Sequence, residues 1–265
     1  MNKKKDNVFY ELVNIMKKLR DKNGCPWDRE QTRDSIKAYL IEEAYELLEA
    51  IDEENPDKIK EELGDVLFQI IFHAKLAEEQ KEFDVFDVCL HVKEKMIRRH
   101  PHVFGNSKVS SSKEVLERWE DIKRKEPKNS ERKSALDGIP KELPSLLRAR
   151  RFQEKAARVG FDWEKTEQVF EKVEEELAEL KETFSKNNKI EMEHELGDVL
   201  FSLVNIGRFI KVNPEEAMRK AIDRFFQRFK YIEEETTKRG LDLNDLSLQE
   251  MDKYWNEAKK VSKRH

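Results

Sequence analysis

Apolar residues recur at spacings of three and four along almost the whole chain, the signature of amphipathic helices. Val8, Phe9, Leu12, Val13, Met16 and Leu19 define an opening helix, and the pattern breaks at Asn23-Gly24-Cys25-Pro26. It resumes over about 36–54. Asn55-Pro56 then reads as an N-cap and first helical position, because Asn accepts from the free N–H groups and proline has none to lose. That helix reaches about Glu79, another spans about 83–98 and stops before Pro101, and a third covers about 113–125 after a loop at 106–112. Pro127, Gly138, Pro140 and Pro144, set among charged residues and serine, give 126–145 the composition of a linker. Helical patterns return at 146–158, 166–185, 188–211, 214–238 and 247–262. Asn213-Pro214 repeats the cap signal, and Gly240 stands where a C-terminal cap is expected. The pattern predicts an all-α protein with an N-terminal domain at 1–125, a linker at 126–145 and a C-terminal domain at 146–265.

The two halves are copies. Glu42, Glu43, Glu46, Glu62, Leu63, Gly64, Asp65, Val66, Leu67 and Phe68 reappear as Glu175, Glu176, Glu179, Glu195, Leu196, Gly197, Asp198, Val199, Leu200 and Phe201, at a constant offset of 133 residues. Further on, Lys95 and Arg99 resemble Lys220 and Arg224, and the pair Trp119/Lys123 resembles Trp255/Lys259. A gapless repeat through two helices and their connection indicates tandem duplication of a small helical-bundle unit.

Composition narrows the class. Charged residues make up 41% of the 265 positions and hydrophobic ones 37%, which suits thin helical layers better than a doubly wound sheet. Eight Gly and seven Pro are too few for a turn-rich sandwich or barrel. Lys and Arg (52) nearly balance Asp and Glu (56), so nucleic acid is not expected as the main ligand. No apolar run approaches the ~20 residues of a membrane span. The basic start runs straight into an amphipathic stretch, unlike a signal peptide. Cys25 and Cys89 are too sparse for a disulfide framework. A soluble, cytoplasmic helical protein is expected.

The chemistry lies in the repeated carboxylates. On a helix, positions i and i+3 share one face, so Glu43/Glu46 and Glu62/Asp65 form adjacent pairs, with Glu42 beside Glu46 at i+4. The Asn55-Pro56 turn makes the two helices antiparallel neighbours, so the pairs can face each other. Glu175, Glu176, Glu179, Glu195 and Asp198 repeat the arrangement. Each Glu-Leu-Gly-Asp runs into a strongly apolar stretch, which places its helix in the core, where unpaired carboxylates are costly. A bound cation removes that cost, and oxygen ligands without His or Cys suit Mg²⁺, with Mn²⁺ as a substitute. Gly64 and Gly197 are expected to permit close helix packing. Cations recurring in both copies, beside a carboxylate-held metal, fit a polyphosphate substrate. His73, His91, His100, His102 and His194 lack repeat partners and are read as structural or surface residues. No Gly-rich phosphate loop or nucleophile motif is present.

These residues resemble the MazG family of nucleoside triphosphate pyrophosphohydrolases. The likeness is carried by both Glu-Glu-x-x-Glu and Glu-Leu-Gly-Asp units, Cys25-Pro26-Trp27-Asp28, Arg99-His100-Pro101-His102-Val103-Phe104, Trp119-Glu120 and Gly160-Phe161-Asp162-Trp163. It implies an all-α fold whose units dimerise, and Mg²⁺-dependent hydrolysis of nucleoside triphosphates of broad base range to monophosphate and pyrophosphate. Carried over, the metal ligands are Glu43, Glu46, Glu62 and Asp65, and Glu176, Glu179, Glu195 and Asp198. Substrate contacts fall on Lys220, Arg224, Trp255 and Lys259, with Lys95, Arg99, Trp119 and Lys123 as their counterparts in the first copy. Glu42 and Glu175, the spare carboxylates, are candidates for the general base. The apolar runs Val66–Phe72 and Val199–Ile206 also point to a homodimer, since so small a bundle leaves such helices partly uncovered.

Two readings from other classes compete. One is a helical interaction protein with a structural metal site, which leaves the repeated Lys, Arg and Trp unexplained. The other is a di-iron bundle, which wants Glu-x-x-His on two helices, whereas the repeated ligand set here contains no His.

Overall fold

A computed structural model describes residues 7–124, 126, 134–186 and 188–261, and among them every regular element is helical. The chain forms two compact units, Met1–Asn129 and Ser130–His265. Pro127, within the expected linker, lies outside the described residues.

The first unit contains α1 (Val8–Leu19), α2 (Pro26–Glu30), α3 (Lys37–Asp52), α4 (Pro56–Glu79), α5 (Val85–Arg99), α6 (Pro101–Phe104) and α7 (Ser112–Arg124). Its centre is the α3–α4 hairpin, closed by a three-residue connection in which Asn55 Oδ1 accepts from the amides of Asp57 and Lys58 at 3.1 and 3.3 Å. α1 and α5 pack on α4. Val13, Met16, Ile36, Ile71, Phe72, Leu76 and Val85 form the core. Two short helices depart from the sequence pattern, α2 inside the expected break and α6 just after an expected stop. Pro26 and Pro101 each occupy a first helical turn, so the residue that reads as a terminator also starts the next helix.

The second unit contains α8 (Ser145–Ala157), α9 (Thr166–Lys186), α10 (Lys189–Phe209), α11 (Pro214–Lys238) and α12 (Leu248–Val261), with a 3₁₀ turn at Leu243–Asp245. α9 and α10 repeat the hairpin, α8 packs against α10 and α11, and α12 folds back on α11. Asn188 and Asn213 cap α10 and α11 through their side chains, at 3.2 and 3.1 Å. Gly240, just beyond α11, sits at φ +67°, a left-handed conformation that costs glycine nothing.

One expectation is corrected. The Glu-Leu-Gly-Asp helices do not lie wholly in the core, and they are left partly uncovered, as expected of so small a bundle. Ile71, Phe72, Ala74 and Leu76 of α4 are buried, whereas Leu63, Leu67 and Ile70 are exposed. In α10, Val199 and Val204 are buried, whereas Leu196, Leu200 and Leu203 are exposed. A unit of this size has neighbours enough to cover each helix on one side only. A Cβ built on Gly64 or Gly197 meets no atom of a neighbouring element within 4 Å among the described residues, so the close packing expected there is not found among them.

Candidate active site

The hairpins bring the carboxylates together. In the first unit, Glu43 on α3 meets Glu62 and Asp65 on α4, one oxygen from each lying within 4.8 Å of the others. Glu46, on the exposed side, stands outside that triad. In the second unit the triad is Glu176, Glu179 and Glu195, which includes the counterpart of Glu46 in place of that of Asp65, and Asp198 joins Glu195 in an overlapping group with His194. His194 Nδ1 lies 3.2 Å from Asp198 Oδ2 and 3.8 Å from Glu195 Oε1.

The electrostatics are those of crowded, partly desolvated anions. Burial pushes the Glu43 carboxyl up from its ordinary value, with Asp65, Glu46 and Glu42 adding repulsion and a 3.5 Å hydrogen bond from Gln69 opposing it. Glu62 is raised by burial and then by Glu46 and Asp65, and its Oε2 is shut off from solvent without a hydrogen-bond partner. Burial and the charges of Glu176 and Glu195 raise Glu179. An orphaned buried oxygen among mutually repelling hard donors fits a divalent cation.

The units differ at one place that the sequence pattern left unmarked. Lys172, on α9, donates to Glu176 at 2.7 Å and to Glu175 at 2.9 Å, and these bonds hold its ammonium above its usual value. Glu176 is only 7% exposed, so Lys172 is a resident cation at the most buried ligand candidate. The residue 133 positions earlier is Tyr39. Lys172 could have been found from its i+3 and i+4 spacing to the two glutamates. Glu42 and Glu175 are both exposed beside their triads.

The basic and aromatic positions lie on other helices, α5 and α7 in the first unit and α11 and α12 in the second. In the first unit Arg99 donates to Glu126 through Nε at 2.9 Å and Nη2 at 2.6 Å, and its guanidinium lies 5.3 Å over the Trp119 ring. Hydrogen bonds from Arg99 and Arg98 pull the Glu126 carboxyl down to about 2. Trp119 stands edge-on to His100, and Lys95 and Lys123 are half-buried. In the second unit Lys220 donates to Glu216 at 2.7 Å and Arg224 is exposed. Trp255 packs on Phe225, with Lys259 6.0 Å above its ring.

A cavity of about 620 Å³ opens beside the second cluster, reaching Lys172, Glu176 and Asp198 at one wall and aromatic side chains elsewhere. Its lining comes from α8, α9, α10, the loop at 160–163 and Leu136, whose convergence no local pattern reveals.

Fold and site define an all-α protein with two carboxylate clusters on duplicated helical hairpins. The MazG nucleotide pyrophosphohydrolase domain matches residues 31–104 and again 164–234, more than half of the chain. The chain belongs to that family. It is 53% identical to the nucleoside triphosphate pyrophosphohydrolase/pyrophosphatase MazG of Thermotoga maritima, over 95% of this chain and 96% of that one. It is 42% identical to the nucleoside triphosphate pyrophosphohydrolase of Escherichia coli K12, over 96% and 98% respectively. It is also 50% identical to the uncharacterized protein YabN of Bacillus subtilis, over 97% of this chain and 52% of that one.

Proposed function

We propose that this chain hydrolyses nucleoside triphosphates of broad base range to monophosphate and pyrophosphate, with Mg²⁺ as the cofactor. The supporting observation is the pair of carboxylate clusters at corresponding places in both units, within a family and among relatives carrying that name. Glu43, Glu46, Glu62 and Asp65 hold the cation in the first unit, and Glu176, Glu179, Glu195 and Asp198 in the second. When bound, Mg²⁺ screens the triphosphate's charge and polarises the phosphorus under attack.

The protein's own groups do the rest. Lys220 and Arg224, one turn apart on α11, bind the outgoing phosphates, and Lys95 and Arg99 are their counterparts on α5. Trp255 with Lys259, and Trp119 with Lys123, offer an aromatic face beside an ammonium. Glu175, or Glu42 in the first unit, accepts the proton of the attacking water. The water oxygen bonds to the α-phosphorus as the bond from that phosphorus to its bridging oxygen breaks, and the electron pair leaves on pyrophosphate, where the cations stabilise it.

The working form is a homodimer. Exposed Leu63, Leu67 and Ile70 on one hairpin, and Leu196, Leu200 and Leu203 on the other, are apolar area that a second copy can cover. The open space over Gly64 and Gly197 admits a close neighbour.

The test is product identification with ATP, GTP, CTP and UTP in Mg²⁺. Monophosphate plus pyrophosphate, abolished by EDTA and restored by Mg²⁺ or Mn²⁺, is expected. Diphosphate plus phosphate, or turnover that survives rigorous chelation, overturns the reading.

A further inference from the structure

We infer that Glu126 is an internal stand-in for a substrate phosphate, a latch that holds the first unit's site shut by occupying Arg99. The inference rests on the nucleotide reading above, which gives Arg99 the task of binding phosphate.

The contact has the form that a phosphate would take. Arg99 donates from Nε to Glu126 Oε1 at 2.9 Å and from Nη2 to Oε2 at 2.6 Å, so two parallel bonds fill one edge of the guanidinium. Carboxylate and phosphate both fit that planar fork, and they compete for one place. Arg98 adds a third bond, from Nη2 to Oε1 at 2.8 Å. The Arg99 and Glu126 side chains are only 13% and 11% exposed, so a ligand reaches this edge of Arg99 only when Glu126 withdraws.

The position of the cation does not depend on Glu126 alone. Trp119 lies 5.3 Å beneath the Arg99 guanidinium. His100 stands edge-on to Trp119 at 4.8 Å, and its Nδ1 is 2.7 Å from the Met96 carbonyl. Arg99 therefore keeps a platform when the carboxylate leaves. Arg98 and Arg99 then lose the anion they share, and a polyphosphate replaces that charge with more.

Glu126 stands where withdrawal is possible. It follows α7, which ends at Arg124, and precedes Pro127, which disfavours helix at the residue before it. Seven residues separate it from Trp119, so the chain can shift there while the indole stays packed. Stability alone does not call for such a contact, since apolar groups often serve a nearly buried position as well as an ion pair does.

The second unit departs at the matching place. Ser262 lies seven residues beyond Trp255, as Glu126 lies seven beyond Trp119, and a serine hydroxyl carries no charge to hold a guanidinium. Arg224, the counterpart of Arg99, is exposed. The latch therefore belongs to the first unit.

The experiment measures pyrophosphate binding by the full chain, by calorimetry in EDTA, where turnover plays no part. Every form carries Arg224→Met, which weakens the contribution of the second unit. Glu126→Gln is expected to tighten pyrophosphate binding about tenfold, the size of one charge-assisted hydrogen bond, and adding Arg99→Met is expected to cancel the gain. An ion pair that is only structural gives no gain, because its loss loosens the fold without creating affinity. Glu126→Asp, charged but one methylene shorter, should show part of the gain and serves if Glu126→Gln does not fold. Unchanged or weaker binding, a gain that survives Arg99→Met, or failure of both variants to fold overturns the latch. Such a result leaves triphosphate hydrolysis standing if the parent still forms monophosphate and pyrophosphate. Conversely, an Arg99-dependent gain without any hydrolysis keeps the latch and removes the reaction.

Discussion

Lys172 Nζ lies 2.7 Å from Glu176 Oε1, one helical turn along α9, and occupies by charge part of what a metal ion would neutralise. Tyr39 holds the matching place in the first unit, so the second cluster carries one positive charge that the first lacks. Lys172→Met should tighten Mn²⁺ binding without nucleotide by about threefold, the worth of a half-exposed ion pair. Titration by electron paramagnetic resonance reads this directly. Weaker Mn²⁺ binding by the variant would show that Lys172 supports the site instead of competing for it.

The second site should carry more of the turnover. Lys220 and Arg224 sit within one uninterrupted helix, Pro214–Lys238, whereas α5 ends at Arg99, and Arg99 is engaged by Glu126. Glu176→Ala or Asp198→Ala should lower kcat by about a hundredfold or more, since each removes a ligand from a cation worth several kcal/mol to the transition state. Glu43→Ala and Asp65→Ala should cost less, and excess Mg²⁺ should recover part of every loss. Folding should survive in all four, because the changes at Glu43, Asp65 and Asp198 relieve repulsion in an acidic cluster and Lys172 keeps its bond to Glu175 when Glu176 is removed. Steady-state kinetics against Mg²⁺, with thermal melts alongside, is the check. A larger loss from the first-unit variants would reverse the assignment.

Assembly gives a third expectation. Light scattering at micromolar concentration should find a dimer, and Leu200→Glu, which puts a charge on an exposed apolar face of α10, should shift it toward monomer. A parent protein that runs as a monomer contradicts the homodimer.

The pH dependence of stability follows from Glu126. Its carboxyl is held at about 2, against an ordinary value of 4.5, first by Arg99 and then by Arg98. A folded value below the unfolded one means that the contribution is complete above pH 4.5 and drains away as pH falls from there toward 2. Glu126→Gln should therefore melt at a lower temperature than the parent at pH 7, with the gap narrowing below pH 4.5. Melts from pH 7 to pH 3 that show a constant gap would sever the link to this ion pair.

Legibility from sequence followed the range of the interaction. Asn55-Pro56 and Asn213-Pro214 announced their helices because an N-cap bond spans two or three residues, and those caps form. The duplication was visible because identity at a fixed offset needs no structure. Glu43, Glu62 and Asp65 could be brought together on paper, since a short turn between two helices leaves few ways to arrange them. Pro26 and Pro101 are only half-legible, because proline's fixed φ both ends one helix and suits the first turn of another.

The all-α class, the tandem units and the acidic hairpins were thus determined by the sequence itself, through periodicities and spacings shorter than two helices. Only the tertiary structure decided which faces of α4 and α10 stay uncovered, since hydrophobic runs specify burial without specifying by what. It alone also joined Gln153, Asp162, Asn205 and Arg208 around one cavity. Those residues lie on α8, on the loop at 160–163 and on α10, and bonds such as Gln153 to Phe201, 48 positions apart, form only once the helices have packed.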